Sequence, residues 1–237
     1  MRIVLLGYGK MGKVIERIAL ERGHDVVGRI DETNRADFAG FSPANADVVI
    51  EFSHPDAALQ NLKDALSQGI PTVCGTTGWL DHRPEIEALC AKTDGAFFYA
   101  SNYSIGVNLF FRMNKILAKL ISPYPEYTVS MTEIHHIHKK DAPSGTAITL
   151  AEGILAENAR LSGWGLEEGD GKTRLPIGAV REGEVPGTHV VTYDSDVDSI
   201  EIKHTAHSRE GFALGAVVAA EWLAGKKGIF GMDDLLG

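Results

Sequence analysis

Between Thr132 and Ala147 the chain reads T-E-I-H-H-I-H-K-K-D-A-P-S-G-T-A, which places His135, His136, His138, Lys139, Lys140 and Asp141 within seven residues. Imidazole and ammonium groups this dense can bind anions and pass protons. Pro143 stops the run, and Ser144, Gly145 and Thr146 open what reads as a helix. A helix N-terminus offers free backbone N–H groups and a positive dipole end to an anion, and Lys139 and Lys140 add charge to the same place. A small ligand carrying carboxylates or phosphates is the fitting guest. On a regular strand His135 and His136 face opposite sides, whereas His136 and His138 share one. Neighbouring histidines can therefore serve one ligand only if the strand ends or bends there. Two other readings stay open. One is a solvated surface loop. The other is chelation of a divalent ion by His136 and His138, but no nearby Cys or second carboxylate completes a tetrahedral set, and no metal is expected.

The elements that must position these groups are legible on either side. Tyr127 to Ile134 is rich in β-branched and aromatic residues and predicts a strand. Ala147, Leu150, Ala151, Ile154 and Leu155 recur at spacings of three and four and predict an amphipathic helix.

A second constellation lies at the N-terminus. Arg2 to Leu6 predicts a buried strand, then Gly7-Tyr8-Gly9-Lys10-Met11-Gly12, then a helix with apolar positions at Met11, Val14, Ile15, Ile18 and Ala19, closed by Gly23. Asp25 to Ile30 predicts the next strand, with Asp31 at its end. Such a turn lets a pyrophosphate approach the helix N-terminus while the acid holds the ribose hydroxyls. Asp31 lies nineteen residues after Gly12, close to the usual ~20. The glycine run is one residue short of G-x-G-x-x-G, so its context carries the reading; glycine turns also serve packing alone.

Strands then alternate with helices: Asp47 to Phe52, Asp56 to Gln68, Pro71 to Cys74, Pro84 to Ala91 and Ala96 to Tyr99. Short connections between such elements predict a parallel, doubly wound sheet, with ligands at the carboxyl ends of its strands. Gly75-Thr76-Thr77 and Ala100-Ser101-Asn102-Tyr103 fall at such ends. Val107 to Ile121 predicts a long helix. Arg160 to Lys172 reads as a surface loop, while Leu175 to Val180, Thr188 to Tyr193 and Ser199 to Thr205 predict strands. With Tyr127 to Ile134 they would form an open mixed sheet of four strands. Gly211 to Ala224 predicts a final helix.

Bulk properties narrow the function classes. The chain has 237 residues, is 44% hydrophobic and carries a formal charge of −9, which argues against nucleic acid and anionic membranes as partners. Two cysteines, Cys74 and Cys90, fall short of a disulfide framework. The first apolar run is too short for a signal peptide and no segment reaches membrane-span length, so cytoplasm is the expected compartment.

The run E-I-H-H-I-H-K-K-D-A-P-S-G-T-A closely resembles the signature of the dihydrodipicolinate (4-hydroxy-tetrahydrodipicolinate) reductases of lysine and diaminopimelate synthesis. Arg181-x-Gly183-x-x-x-Gly187-x-His189 is similar to a second signature of these enzymes, and the G-T-T and A-S-N-Y stretches and the tail from Gly228 to Leu236 also resemble the family. The resemblance implies an α/β fold: a Rossmann-type doubly wound parallel sheet plus a smaller α+β substrate domain with an open mixed sheet. The expected division is residues 1–103 and 211–237 for the dinucleotide and 104–210 for substrate and oligomerisation. The implied activity is reduction of 4-hydroxy-tetrahydrodipicolinate, a cyclic dicarboxylate, to tetrahydrodipicolinate. By resemblance His135 donates or accepts a proton and Lys139 donates one. His136, Gly145 and Thr146, with Ser144 beside them, hold the substrate carboxylates, and Arg209 belongs to the substrate domain. Gly75, Thr76 and Thr77, with Ala100 to Tyr103, lie on the nicotinamide side; Tyr103 stands where Phe is familiar. Glu32 replaces the arginine that follows the acid in many relatives, so NADH is the preferred coenzyme, with NADPH usable if Arg35 or Lys10 reaches its phosphate. Relatives are tetramers, which implies a homotetramer. Another Rossmann-type amino-acid dehydrogenase would lack the H-H-x-H-K stretch. A non-catalytic nucleotide sensor would need no clustered His and Lys.

Overall fold

The alternating apolar and amphipathic stretches of the first hundred residues resolve, in a computed structural model describing residues 1–208 and 210–237, into five strands and three α-helices. In order these are β1 (Arg2–Leu6), α1 (Lys10–Glu21), β2 (Asp25–Ile30), β3 (Val48–Glu51), α2 (Pro55–Ser67), β4 (Thr72–Cys74), α3 (Arg83–Lys92) and β5 (Ala96–Tyr99). Helix α2 starts with Pro55, whose missing N–H costs nothing in a first turn. Arg209 lies outside the described residues.

The chain continues through α4 (Ile105–Ile121), β6 (Thr128–His135), α5 (Gly145–Glu157), β7 (Trp164–Leu166), β8 (Leu175–Arg181), β9 (Thr188–Asp194) and β10 (Ser199–Thr205). It returns with α6 (Glu210–Leu223), β11 (Gly228–Phe230) and α7 (Met232–Leu236). Two compact units result, Met1–Ile105 with Glu210–Gly237, and Gly106–Arg209.

The first unit is a parallel six-stranded sheet in the order β11-β5-β4-β3-β1-β2, so strand order reverses between β1 and β3. Strands β3, β4 and β5 are buried along their whole length and β1 from Ile3 onward, as a sheet covered on both faces requires. Ile3, Leu5, Ile50, Val73 and Phe98 pack with Ile15 of α1 and Val217 of α6 on one face. Val4, Leu6 and Val49 pack with Phe38 on the other. The loops after β1, β2, β4 and β5 carry the N-terminal candidates to the carboxyl ends of the strands.

The second unit is a mixed sheet in the order β10-β9-β6-β8-β7. Strand β6 pairs antiparallel with β9 and parallel with β8. Val129, Met131, Ile177, Val191 and Tyr193 bury one face against α4 and α5. These are the only helices of this unit among the described residues, so the opposite face, with Ser130, Thr132, Gly178 and Thr192, stays open within it. Two expectations change here. The stretch Arg160 to Lys172 is not all loop, because Trp164–Leu166 forms β7, and the sheet has five strands rather than four. A three-residue strand carries no readable alternation; pairing of Trp164 with Leu175 and of Leu166 with Ile177 creates it. Cys74 and Cys90 are buried and unpaired. Among the described residues no helix is long and apolar enough to cross a membrane.

Candidate active site

In the first unit the turn after β1 can only be built from glycine at two places. Gly7 has φ +99°, and a Cβ there would lie 2.0 Å from the Phe52 carbonyl oxygen. A Cβ on Gly12 would lie 2.3 Å from the Gly7 oxygen. Gly9 caps α1 without a side-chain acceptor, and the first turn holds no acid. Its leading N–H groups and dipole are therefore free of internal anions, which fits a pyrophosphate. Tyr8 turns its hydroxyl onto Glu16. Lys10 is exposed and Met11 half-buried.

Asp31 is exposed, and its Oδ1 accepts from the Thr33 hydroxyl (2.6 Å) and N–H (2.8 Å). The Thr33 hydroxyl and backbone hold the carboxyl below its usual range, so it stays an acceptor suited to ribose hydroxyls. Gly7, Tyr8, Gly9, Asp31, Glu32 and Arg35 line one cleft. Arg35 is committed within it: Nη2 donates to Asp64 at 2.5 Å, and the guanidinium lies 5.3 Å from the Phe38 ring centre.

Across a second cleft, Gly75, Thr76 and Thr77 face Gly9, Lys10 and Met11. Thr76 Oγ1 accepts from the Ser53 N–H at 2.8 Å, which leaves Thr77 as the exposed member. In the next loop Ala100 is buried, Ser101 exposed, and Asn102 Oδ1 accepts from the Ser104 N–H at 2.9 Å. Tyr103 is buried and donates to the Cys74 carbonyl at 2.7 Å, so its hydroxyl has a partner a phenylalanine would not need. Sequence reasoning missed Glu51. Its buried carboxylate accepts from Ser53 Oγ, from Asn61 Nδ2 at 3.2 Å and from the Cys74 thiol at 3.2 Å. Burial and this acid push the thiol pKa well up, so Cys74 serves as donor. The available signal was an acid ending the apolar run Val48-Val49-Ile50.

In the second unit β6 ends at His135, and the chain turns at once, with Lys139 N–H donating to the His136 carbonyl at 3.1 Å. Alternation puts Glu133 and His135 on one buried face. Register does the rest: Glu133 lies opposite His189 on β9, and His135 lies beside Arg181 on β8. Arg181 Nη2 donates to Glu133 Oε1 at 2.9 Å. His135 Nδ1 lies 3.1 Å from Glu133 Oε2, and His189 Nε2 lies 3.8 Å from the same oxygen. The two imidazoles meet edge to face at 5.2 Å. Burial alone would raise the Glu133 pKa, but His135, Ser144 and Arg181 outweigh it and bring the value down to about 2. Burial, helped by His135, lowers His189 to about 4. The centre thus holds a carboxylate and one neutral imidazole near pH 7.

The loop after β6 is clipped to this centre. Arg181 also donates to the backbone oxygens of Asp141 (2.7 Å) and Lys139 (3.4 Å). Lys139 Nζ bonds both Asp141 oxygens, at 2.8 and 2.7 Å. The Ala142–Pro143 peptide is cis. Ser144 is buried; Oγ accepts from Ala147 N–H at 3.2 Å as the cap of α5 and lies 3.1 Å from His189 Nε2. The first intrahelical bond runs from Ile148 to Ser144, leaving the Gly145 and Thr146 N–H groups at a helix start with no acid in its first turn. Gly145 is exposed and Thr146 half-buried. His136 is half-buried, its ring 6.2 Å from that of exposed His138, which pairs with Glu184 at 3.4 Å.

Glu133, Arg181 and His189 were not singled out as site residues, although Glu133 begins the histidine run and the others sit in the second signature. The period of two along β6 was the usable signal for Glu133. Only strand pairing could reveal the others. Glu133, His135 and His189 also have ligand atoms within 4.8 Å of one another, a spacing that could hold a metal ion. Arg181 already occupies the carboxylate, so a cation would share it with a guanidinium. The set is better suited to holding protons.

Comparison with known proteins agrees along the whole chain. The family "Dihydrodipicolinate reductase, N-terminus" matches residues 1–103, and "Dihydrodipicolinate reductase, C-terminus" matches residues 106–236. The chain is 52% identical to a 4-hydroxy-tetrahydrodipicolinate reductase of Christiangramia forsetii, covering 100% of this chain and 98% of that one. It is 38% identical to the enzyme of the same name from Desulfovibrio desulfuricans, covering 98% of each. A dipicolinate-bound dihydrodipicolinate reductase from Paenisporosarcina sp. TG-14 shares the fold, with TM-score 0.77 at 21% identity over 99% of each chain.

Proposed function

The chain belongs to the dihydrodipicolinate reductase family, and on that premise we propose that it reduces 4-hydroxy-tetrahydrodipicolinate to tetrahydrodipicolinate in lysine and diaminopimelate synthesis. Replacing the ring hydroxyl by hydrogen consumes one hydride and one proton and releases one water. Bound NADH or NADPH supplies the hydride. The observation that carries the reading is the pairing, in one chain, of a glycine-and-acid dinucleotide cradle with a buried carboxylate–imidazole centre at the end of β6.

In this reading the glycine turn from Gly7 to Gly12 takes the pyrophosphate and Asp31 the ribose, while Gly75 to Thr77 and Ala100 to Tyr103 shape the nicotinamide side. The Gly145 and Thr146 N–H groups and His136 hold the substrate carboxylates. Lys139 balances their charge and donates a proton, and His135 transfers one. The residues around the adenosine favour NADH, since Asp31 and Glu32 repel a ribose phosphate and Arg35 is engaged by Asp64. The uncovered face of the mixed sheet supports a homotetramer, because such a face is normally closed by symmetry.

The test is a coupled assay in which dihydrodipicolinate synthase supplies the unstable substrate and coenzyme oxidation is followed. Turnover with either coenzyme is expected; none with NADH or NADPH overturns the reading.

A further inference from the structure

Glu133 is fully buried and belongs to no ligand contact in the reading above. Its two oxygens are divided: Oε1 takes the Arg181 guanidinium at 2.9 Å, and Oε2 faces His135 Nδ1 at 3.1 Å and His189 Nε2 at 3.8 Å. Burying a carboxylate so completely is costly unless each lone pair meets a donor. Arginine can only donate. Of the remaining neighbours, His135 Nδ1 at 3.1 Å is the closest to Oε2; both atoms are buried and neither is hydrogen-bonded to any other group, so each is the nearest available partner of the other. His189 is held neutral and shares its Nε2 with Ser144 Oγ at 3.1 Å.

The opposite edge of the His135 ring is shaped by a different residue. A Cβ built on Gly187, where φ is +153°, would lie 3.1 Å from His135 Nε2 and 3.4 Å from Cδ2. The ring is therefore held between a carboxylate at Nδ1 and a bare backbone at Nε2.

We infer that Glu133 is the positioning residue of His135: it holds the Nδ1 proton, fixes the ring's orientation, and leaves Nε2 as the single atom through which the imidazole exchanges a proton. Arg181 is the second part of the device. It fixes the carboxylate from β8 and, through the Lys139 and Asp141 backbone oxygens, sets the loop that carries Lys139 against the same strand end. The groups set against His135 are Glu133 on its own strand and His189 on β9; Arg181 on β8 reaches it through Glu133, Ser144 through His189, and Lys139 and Asp141 belong to the loop that Arg181 holds.

The inference rests on the proposed reductase activity for its kinetic consequence but not for its structural one. Because Arg181 offers only donors, a glutamine at 133 must turn its carbonyl to the guanidinium, and its NH2 then faces His135 and demands an acceptor there. Glu133→Gln should therefore invert the ring from the Nδ1–H to the Nε2–H tautomer. Nitrogen-15 histidine spectra of the wild-type enzyme should show the neutral His135 ring protonated at Nδ1 and bare at Nε2. In Glu133→Gln the pattern should reverse, kcat should fall at least about tenfold, and KM and NADH affinity should change less than about twofold. Glu133→Asp should restore the tautomer and part of kcat. A wild-type His135 with unprotonated Nδ1 overturns the inference without any variant. So does a folded Glu133→Gln with unchanged tautomer and near-normal kcat. Absence of wild-type turnover would instead strike the proposed function and leave the tautomer measurement standing.

Discussion

Glu133 and His189 face each other across β6 and β9, with Oε2 and Nε2 3.8 Å apart, yet the carboxylate stays ionised and the imidazole neutral. The pair is not a salt bridge near neutral pH. Its consequence is a pH dependence of stability. As pH falls, the unfolded chain binds a proton at His189 near pH 6.5, whereas the folded protein resists until about 4. Stability is intact above that interval and lost within it, by up to about 3 kcal/mol. Glu133 adds a loss between 4.5 and about 2. Urea unfolding of wild type and His189→Gln at about pH 7 and about pH 5 should show the smaller acid penalty in the variant. Equal penalties would contradict the assigned cause.

Gly187 offers a steric probe of the same centre. Gly187→Ala places a methyl 3.1 Å from His135 Nε2 on a backbone with φ +153°, adding strain on the order of 1–3 kcal/mol. The expected result is a folded enzyme with kcat down roughly tenfold, since small misplacements of reacting groups cost that much or more. NADH titration should be unchanged. Normal kcat would mean that His135 is not the proton-transferring group.

The Lys139 ammonium is gripped by Asp141 and its loop by Arg181. Lys139→Met should lose turnover by about two orders of magnitude or more and weaken dicarboxylate binding. His135→Gln should act mainly on kcat. Steady-state kinetics beside calorimetry with pyridine dicarboxylate separate the two effects. Near-normal kcat in both variants would remove the loop from the chemistry.

In the proposed reading, coenzyme choice turns on Asp31, Glu32 and Arg35. Wild type should show higher kcat/KM with NADH than with NADPH. Glu32→Arg should raise the NADPH value roughly tenfold by supplying a phosphate partner. Arg35→Ala should leave the NADH value nearly unchanged, because Arg35 is already bound to Asp64. A wild-type preference for NADPH would overturn this assignment.

The uncovered sheet face predicts assembly. Light scattering at micromolar concentration should give four times the 25.6 kDa chain mass. A monomeric mass would refute it.

The sequence by itself determined the parallel sheet of the first unit, because buried strands alternating with amphipathic helices have one economical packing. It also marked the glycine turn and Asp31, whose roles depend on residues close in the chain. It placed a strand over Tyr127 to Ile134, one residue short of the observed end at His135, and a helix opening at Ser144, again from local pattern. It did not disclose β7, whose three residues are a strand only because β8 lies beside them. Nor could it show that Glu51 draws Ser53, Asn61 and Cys74 onto one carboxylate, or that Arg35 is spent on Asp64. Glu133, Arg181 and His189 span 57 residues of chain, and no local preference links them. Their meeting is a property of register, in which β8 and β9 flank β6 and turn the same faces inward. Periodicity can say which side of a strand a residue occupies; only the pairing of strands decides which side chains share that side with it.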